Sequence, residues 1–444
     1  MKYLFIKISL IVAGVMFIQS CAELEGELAP LNSIPASEAI NSAATANAAV
    51  NGIYNQMQAN DFDKWLSLAQ YFSDEAEATG TFPTRLEFGN LNVFPANGTA
   101  AGVFTSLYTT INNANNVITL VPGVEDESFS DAQRADAVGQ AKFLRAHCYL
   151  HLVTLWGDVP LITTPTSEVG EALNVPKNSA AEIYSLIVSD LNDAAANVLA
   201  DVGPGTASKQ AANAMLARVA LYQGNYGEAQ SKAIQVLGSD FDLTTVPYLQ
   251  DQIYSLIYTT ADGNVLNFFY GPSDFNGRYS IGPSQALLNA FESGDIRRDL
   301  TIDDQSASVP FGVKYPSFAA GISGSASDPI FFIRHAEMVL IIAEAAAEAG
   351  DFDTANRWFN QVRLRAGLDP AILDSSNYVD LILQERFVEF AFEGPQRLID
   401  LRRRGRALDV LGSIGYDACD NVWPLPQRDL DRNPNLQQNS CCNC

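Results

Sequence analysis

ARVALYQGNYGEAQSKAIQV at residues 217–236 and AEAAAEAGDFDTANRWFNQV at residues 343–362 are two copies of one pattern. Aligning Gly224 with Gly350 sets Tyr226 against Phe352, Ala229 against Ala355 and Val236 against Val362. Small residues let two helices approach closely, the glycine permits the turn between them, and the aromatic two positions later plugs the joint. This is the tetratricopeptide-like arrangement, helix–turn–helix units that stack through shared apolar faces. The copies differ at one core position, with Ala233 where the second has Phe359. Two units do not make a free-standing solenoid, so they must pack on other helices of the chain.

Outward from the repeat, apolar residues recur at helical spacing over 38–59, 103–121, 138–155, 183–199, 211–237, 331–365 and 378–392. Gly157 and Pro160 stop the third of these. Strand signal is confined to short pieces such as 265–270. The expected fold is mostly α, a tetratricopeptide-like scaffold carrying long loops and a few short strands. Two stretches break the pattern. Residues 74–102 place Phe82, Phe88 and Phe94 among Gly, Asn, Thr and Pro, and residues 241–329 form a longer excursion rich in Gly, Pro, Ser and Asp with single aromatics up to Phe318. Long loops on a helical scaffold are where binding is usually carried.

The N-terminus carries an address. Lys2 and Lys7 precede an apolar run over 10–18, too short to span a bilayer, and Ser20-Cys21 follows directly. This predicts a lipoprotein signal over 1–20, with the Cys21 thiol acylated as the first mature residue. Several acyl chains on one cysteine would anchor the protein firmly. Residues 21–37, acidic and then rich in Pro and small residues, predict a flexible tether, and 38–444 a single domain. The formal charge of −24 becomes −26 without residues 1–20, which hold two lysines and no acids. Such a surface repels phosphates, which disfavours nucleic acid as a partner.

Cysteine usage fits an oxidising envelope. Cys148 lies in an apolar helix and is expected as a buried thiol, whereas Cys419 can bridge to the tail of Cys441, Cys442 and Cys444. Zinc is the competing use of the tail, but three thiols crowd into four residues there. No catalytic constellation stands out. Glu385, Glu389 and Glu393 share a helix face, but arginines surround them and predict an ion-paired network rather than a hydrolytic pair. His147 and His151 sit one turn apart in apolar surroundings and are expected in the core rather than on a metal. The chain is therefore expected to be no enzyme and to need no metal or cofactor.

Several blocks together resemble the RagB/SusD family of outer-membrane nutrient-binding lipoproteins. They are SDEA from Ser73, LYTTINNANNVI from Leu107, AKFLRAHCYLHLVTLWGDVPLI from Ala141, RHAEMVLIIAEAAAEAGDFDTA from Arg334, QERFVEFAFEGPQRLIDLRRRG from Gln384 and PLPQRDLDRNPNLQQN from Pro424. Departures from the family are His147 and Cys148, where aromatics are common, and the tail CCNC. The resemblance implies a helical repeat scaffold with ligand-binding loops. It also implies a cell-surface lid seated on a TonB-dependent, SusC-like barrel transporter, held to the outer membrane by its lipid.

Sugar rings offer apolar faces rimmed by hydroxyls, which aromatic, amide, carboxylate and guanidinium groups can cover and bond. The first loop region supplies Phe82, Arg85, Phe88, Asn90, Asn92 and Phe94, and the second Tyr270, Asp274, Phe275, Asn276, Arg278 and Tyr279. Phe88 and Tyr279, aromatics among polar and glycine residues, are the leading contacts for a glycan or oligosaccharide. Two other functions share these features: a tetratricopeptide-type envelope adaptor with a concave peptide groove, and a lid for a peptide or other non-glycan nutrient.

Overall fold

The structure is a computed structural model that describes residues 39–58, 60–166, 174–317 and 327–441. The signal, Cys21, the tether, Phe318, Cys442 and Cys444 lie outside the described residues.

The scaffold is a row of packed helices. Helix α1 (Ala43–Gln58) packs on α4 (Gly98–Leu120), which packs on α5 (Asp131–Trp156), and α5 packs on α6 (Ala180–Asn197). Asn97 caps α4, and Ser130 with Gln133 and Ser179 with Glu182 form capping boxes on α5 and α6, so each long helix starts where a side chain takes up its free N–H groups. Next come α7 (Lys209–Tyr222) and α8 (Tyr226–Leu237), then α12 (His335–Glu348) and α13 (Phe352–Arg365). These last two pairs are the repeats read from the sequence. Gly224 and Gly350 make their turns at φ of 71° and 78°, a region costly for any residue with a Cβ. Ala229, Ala233, Ala355, Phe359 and Val362 are fully buried in the seams.

Helix α8 packs directly on α12, so the row continues across the excursion between them. That excursion leaves the row through β4 (Gln252–Leu256) and returns through β8 (Ile330–Arg334), which pair antiparallel at its base. Between them lie α9 (Leu266–Tyr270), β5 (Ile281–Pro283), α10 (Gln285–Ala290), α11 (Arg297–Thr301), β6 (Ile302–Asp303) and β7 (Phe311–Gly312). The other sheets are also two-stranded: β1 (Ala76–Ala78) with β5, β2 (Val159–Pro160) with β3 (Lys177–Asn178), and β6 with β7. Helices α2 (Asn60–Tyr71), α3 (Pro83–Gly89), α14 (Tyr378–Glu389), α15 (Gln396–Arg403), α16 (Ala407–Leu411) and α17 (Gln427–Arg432) complete the order.

Two local expectations are corrected. Residues 265–270 are helical rather than extended, because the Asn264 side chain accepts from the Leu266 N–H and starts a turn that outweighs the β-propensity of the aromatics. Residues 331–334 are strand rather than helix, because their apolar run is buried on both faces against β4 and the core. Cys419 and Cys441 form a disulfide with Cα atoms 5.2 Å apart, and Cys148 is a buried free thiol.

Glu385 and Glu389 lie on α14, but Glu393 falls beyond its end rather than on the same helix face as expected, because the helix stops at Phe390; all three are buried and paired. Glu389 meets Arg297 at 2.9 Å, Arg334 at 2.8 Å and Arg365 at 2.5 Å, while Glu385 meets Arg297 at 2.7 Å and Glu393 meets Lys314 at 2.7 Å. Burial alone would raise the Glu389 carboxyl, but Arg365, Arg334 and Arg297 hold it far below the usual carboxylate range. His147 and His151 are buried beside Phe332 with their Nε2 atoms 2.9 Å apart, and burial drives both toward the neutral form.

Candidate functional site

The two loop regions are 200 residues apart in sequence and meet in space. Strand β1 pairs with β5, setting Ala76 against Pro283 and Ala78 against Ile281. The hydroxyl of Thr79 donates to the Tyr279 carbonyl at 2.5 Å, and the buried Ser284 N–H donates to the Glu75 carbonyl. The turn over 271–280 folds back on α9 through Arg278 N–H to Phe268 carbonyl at 2.7 Å and Ser280 N–H to Phe269 carbonyl at 2.8 Å. Gly277 makes this closure possible, since a Cβ there would lie 2.0 Å from the Gly271 oxygen.

The junction carries a stack of rings and guanidinium groups. The Arg278 guanidinium lies 3.9 Å from the Phe82 ring centre. Arg85 lies 4.8 Å from the same centre and 4.2 Å from that of Phe269, and the two rings meet edge to face at 6.5 Å. Phe82 stands just ahead of Pro83 at the start of α3 and is half-buried; Arg85 is buried one turn on; Arg278 is exposed. Around the stack, exposed Asp274 accepts from the Ser308 N–H at 2.9 Å, Phe275 packs on Phe311, and Asn276 takes φ of 59°. Tyr279 is half-buried with its hydroxyl donating to the Pro310 carbonyl at 2.8 Å.

Two of the expected contacts belong to the core instead. Phe88 is fully buried, its ring 4.8 Å from that of Trp423 and 6.1 Å from that of Phe72. It lies on the inward face of α3, so its polar sequence neighbours face away from it. Tyr270 is 1% exposed and its hydroxyl donates to Gln70 at 2.7 Å. Asn90 and Asn92 lie beyond the far end of α3. Asn90 ends the helix, and Asn92 lines a separate cleft of about 240 Å³ beside Trp423 and the Cys419–Cys441 bridge. Phe94 is 41% exposed. Phe269, absent from the expected contacts, is central to the stack; a helical reading of 266–270 would have set it beside Phe268 at the patch edge.

A groove of about 380 Å³ opens on another face, between α4 and α17. Phe104, Tyr108 and Ile162 line it, with Arg428 and Arg432 at its rim.

A model of the "SusD family" matches residues 299–418, and a second, "Starch-binding associating with outer membrane", matches residues 29–221. The chain belongs to the SusD/RagB family. Among curated relatives, SusD-like protein P2 of Formosa agariphila is 28% identical over 98% of this chain and 99% of its own length. A SusD-like protein of Bacteroides ovatus is 24% identical over 69% and 66%. The structure of a SusD superfamily protein from Bacteroides vulgatus superposes with a TM-score of 0.80 at 19% identity, covering 90% of this chain and 98% of that one. A laminarin binding SusD-like protein superposes with a TM-score of 0.80 at 24% identity, covering 90% and 100%. The SusD/RagB fold of these neighbours is the mostly helical, tetratricopeptide-like scaffold described above. The family is one of carbohydrate-binding proteins associated with the outer membrane.

Proposed function

We propose that this chain is a non-enzymatic, surface-exposed lipoprotein that binds a glycan at the joined loops and serves as the lid of a SusC-like, TonB-dependent barrel. The observation that carries this reading is the junction itself. Two loop regions remote in sequence are hydrogen-bonded into one patch where rings, guanidinium groups, a carboxylate and amides converge, the set that covers sugar faces and bonds hydroxyls. The family's carbohydrate-binding character and the laminarin-binding neighbour support a saccharide. The carboxylates of Glu385, Glu389 and Glu393 are consumed in buried ion pairs, which favours binding over hydrolysis.

No helix among the described residues is long and apolar enough to cross a membrane. In this reading, anchoring falls to lipid on Cys21, and transport across the membrane to a partner barrel. Ligand held between lid and barrel would be shared by both, and tethering raises the effective concentration.

A glycan array followed by calorimetry tests the site. Phe82→Ala, which removes the ring shared by both arginines, is expected to weaken binding by about 1–3 kcal/mol. Affinity unchanged by Phe82→Ala but lost in Tyr108→Ala would move the ligand to the groove between α4 and α17. Cys21→Ala is expected to release the protein from the outer membrane. Co-purification from gently solubilised membrane is expected to recover a large barrel protein in near-equal amount; recovery of the chain alone favours an envelope adaptor.

A further inference from the structure

Arg85 breaks a rule that the rest of the chain obeys. Every other buried arginine among the described residues holds a carboxylate within 2.8 Å, from Arg145 with Asp190 to Arg397 with Asp74. Acidic groups outnumber basic ones 51 to 27, so carboxylates are in excess. Arg85 is 6% exposed, yet among the described residues it has rings on it, no ion pair, and a buried Nη1 without a hydrogen-bond partner. Arg278, on the same Phe82 ring, also has no carboxylate partner among the described residues. Two cations thus share one ring with no ion-paired carboxylate among the described residues.

Such an arrangement is unfavourable for folding alone. A buried cation is normally paired, and ring faces offset only part of its lost hydration. It is favourable for a ligand that brings the missing charge. The rings pre-orient planar guanidinium forks, which match an oxyanion bidentately, and the Phe82 face that would stack a sugar carries Arg278 instead.

Resting on the glycan reading of this patch, we propose that the ligand is an anionic saccharide whose carboxylate or sulfate group is bound by Arg278, with Arg85 supplying the second positive charge behind Phe82. The net charge of −24 limits the ligand further. Charges more than about 8 Å away are screened at physiological salt, so one acid group at the patch is attracted while a densely charged polyanion meets the acidic surface beyond it. The expected ligand carries sparse acid groups on an otherwise neutral chain.

The test uses the full chain in detergent and four probes: tetragalacturonide, its methyl ester, a sulfated neocarrageenan tetrasaccharide and neutral laminarihexaose. One or both charged probes are expected to bind at least about tenfold more tightly than the neutral ones, with the preference shrinking as salt rises. Which charged probe wins tells carboxylate from sulfate. Arg278→Gln, an exposed substitution that leaves the fold intact, is expected to remove the preference. Neutral probes that bind as well as charged ones, and lose affinity in Phe82→Ala, would overturn the anionic ligand and keep the site. A charge preference that survives Arg278→Gln would also overturn it. Binding by none of the probes, or binding indifferent to Phe82→Ala, would overturn the site as well.

Discussion

Two regions of this molecule gather arginines around aromatic rings, and they differ in one respect. Beneath α14, Arg297, Arg334, Arg365 and Lys314 interleave with Asp251, Glu385, Glu389 and Glu393, and each cation has a carboxylate in contact. At the loop junction, Arg85 and Arg278 share Phe82, and neither forms an ion pair with a carboxylate among the described residues. The first region has satisfied its charges within the chain, so it can only hold the fold together. The second has left its charges open to something outside. Whether a buried cation is paired thus separates structure from recognition better than the abundance of charge or rings.

The comparison breaks first at Glu389. It touches three arginines, so Glu389→Gln leaves buried cations without their shared counter-charge. Removing one partner from a buried network costs about 3–5 kcal/mol. Urea unfolding of this variant is expected to show a loss of that size, with saccharide affinity of the folded protein unchanged. A loss of binding at unchanged stability would mean that α14, not the loop junction, serves the ligand.

Phe88 and Phe82 sharpen the comparison, because a core ring on one short helix and a half-buried ring at its N-cap are only six positions apart. Phe88→Ala is expected to destabilise by about 3–4 kcal/mol through a cavity against Phe72 and Trp423, without changing affinity. Phe82→Ala is expected to do the reverse. Denaturation and calorimetry on the pair separate the two roles, and equal effects on both measurements would erase the distinction.

This pair also marks where the sequence stops being legible. The repeat was readable because Gly224 and Gly350 each sit before an aromatic and a small residue, a pattern only stacked helix pairs require. The α5–α6 pair carries no such mark, since its helices are joined by a long connection with β2 and β3 rather than a glycine turn. Residues 74–102 were legible as a break in the helical pattern, but not which of their side chains face inward. Pro83 at the first position of α3 was the available signal; a helix from there puts Arg85 and Phe88 one turn apart and inward. Pairing of β1 with β5, which brings Arg278 to Phe82, depends on register between segments 200 residues apart and leaves no local trace.

Glu75 joins the two regions and gives the subtlest test. Its carbonyl receives the Ser284 N–H beside the β1–β5 pair, and its side chain accepts from the Phe392 N–H at 2.8 Å, close to Lys314 of the paired network. Phe392 sits at φ of 64°, a strained conformation for a bulky residue, and this hydrogen bond helps to hold it. Burial raises the Glu75 carboxyl from 4.5 to about 8, against the opposing pull of the Phe392 N–H and Lys314. The folded state therefore binds this proton more tightly than the unfolded chain. The stability that follows is fully present below 4.5 and is lost as pH rises through about 8. Unfolding free energy measured between these limits is expected to fall with pH through this group's contribution. Glu75→Gln keeps an acceptor for Phe392 without the titration, so its profile should be flatter than the wild type's. Saccharide affinity should follow the same trend in the wild type, because ionised Glu75 loosens the joint that presents Arg85 and Arg278. Parallel profiles for the two proteins would place Glu75 ionised in the folded state at neutral pH and detach it from the coupling between core and patch.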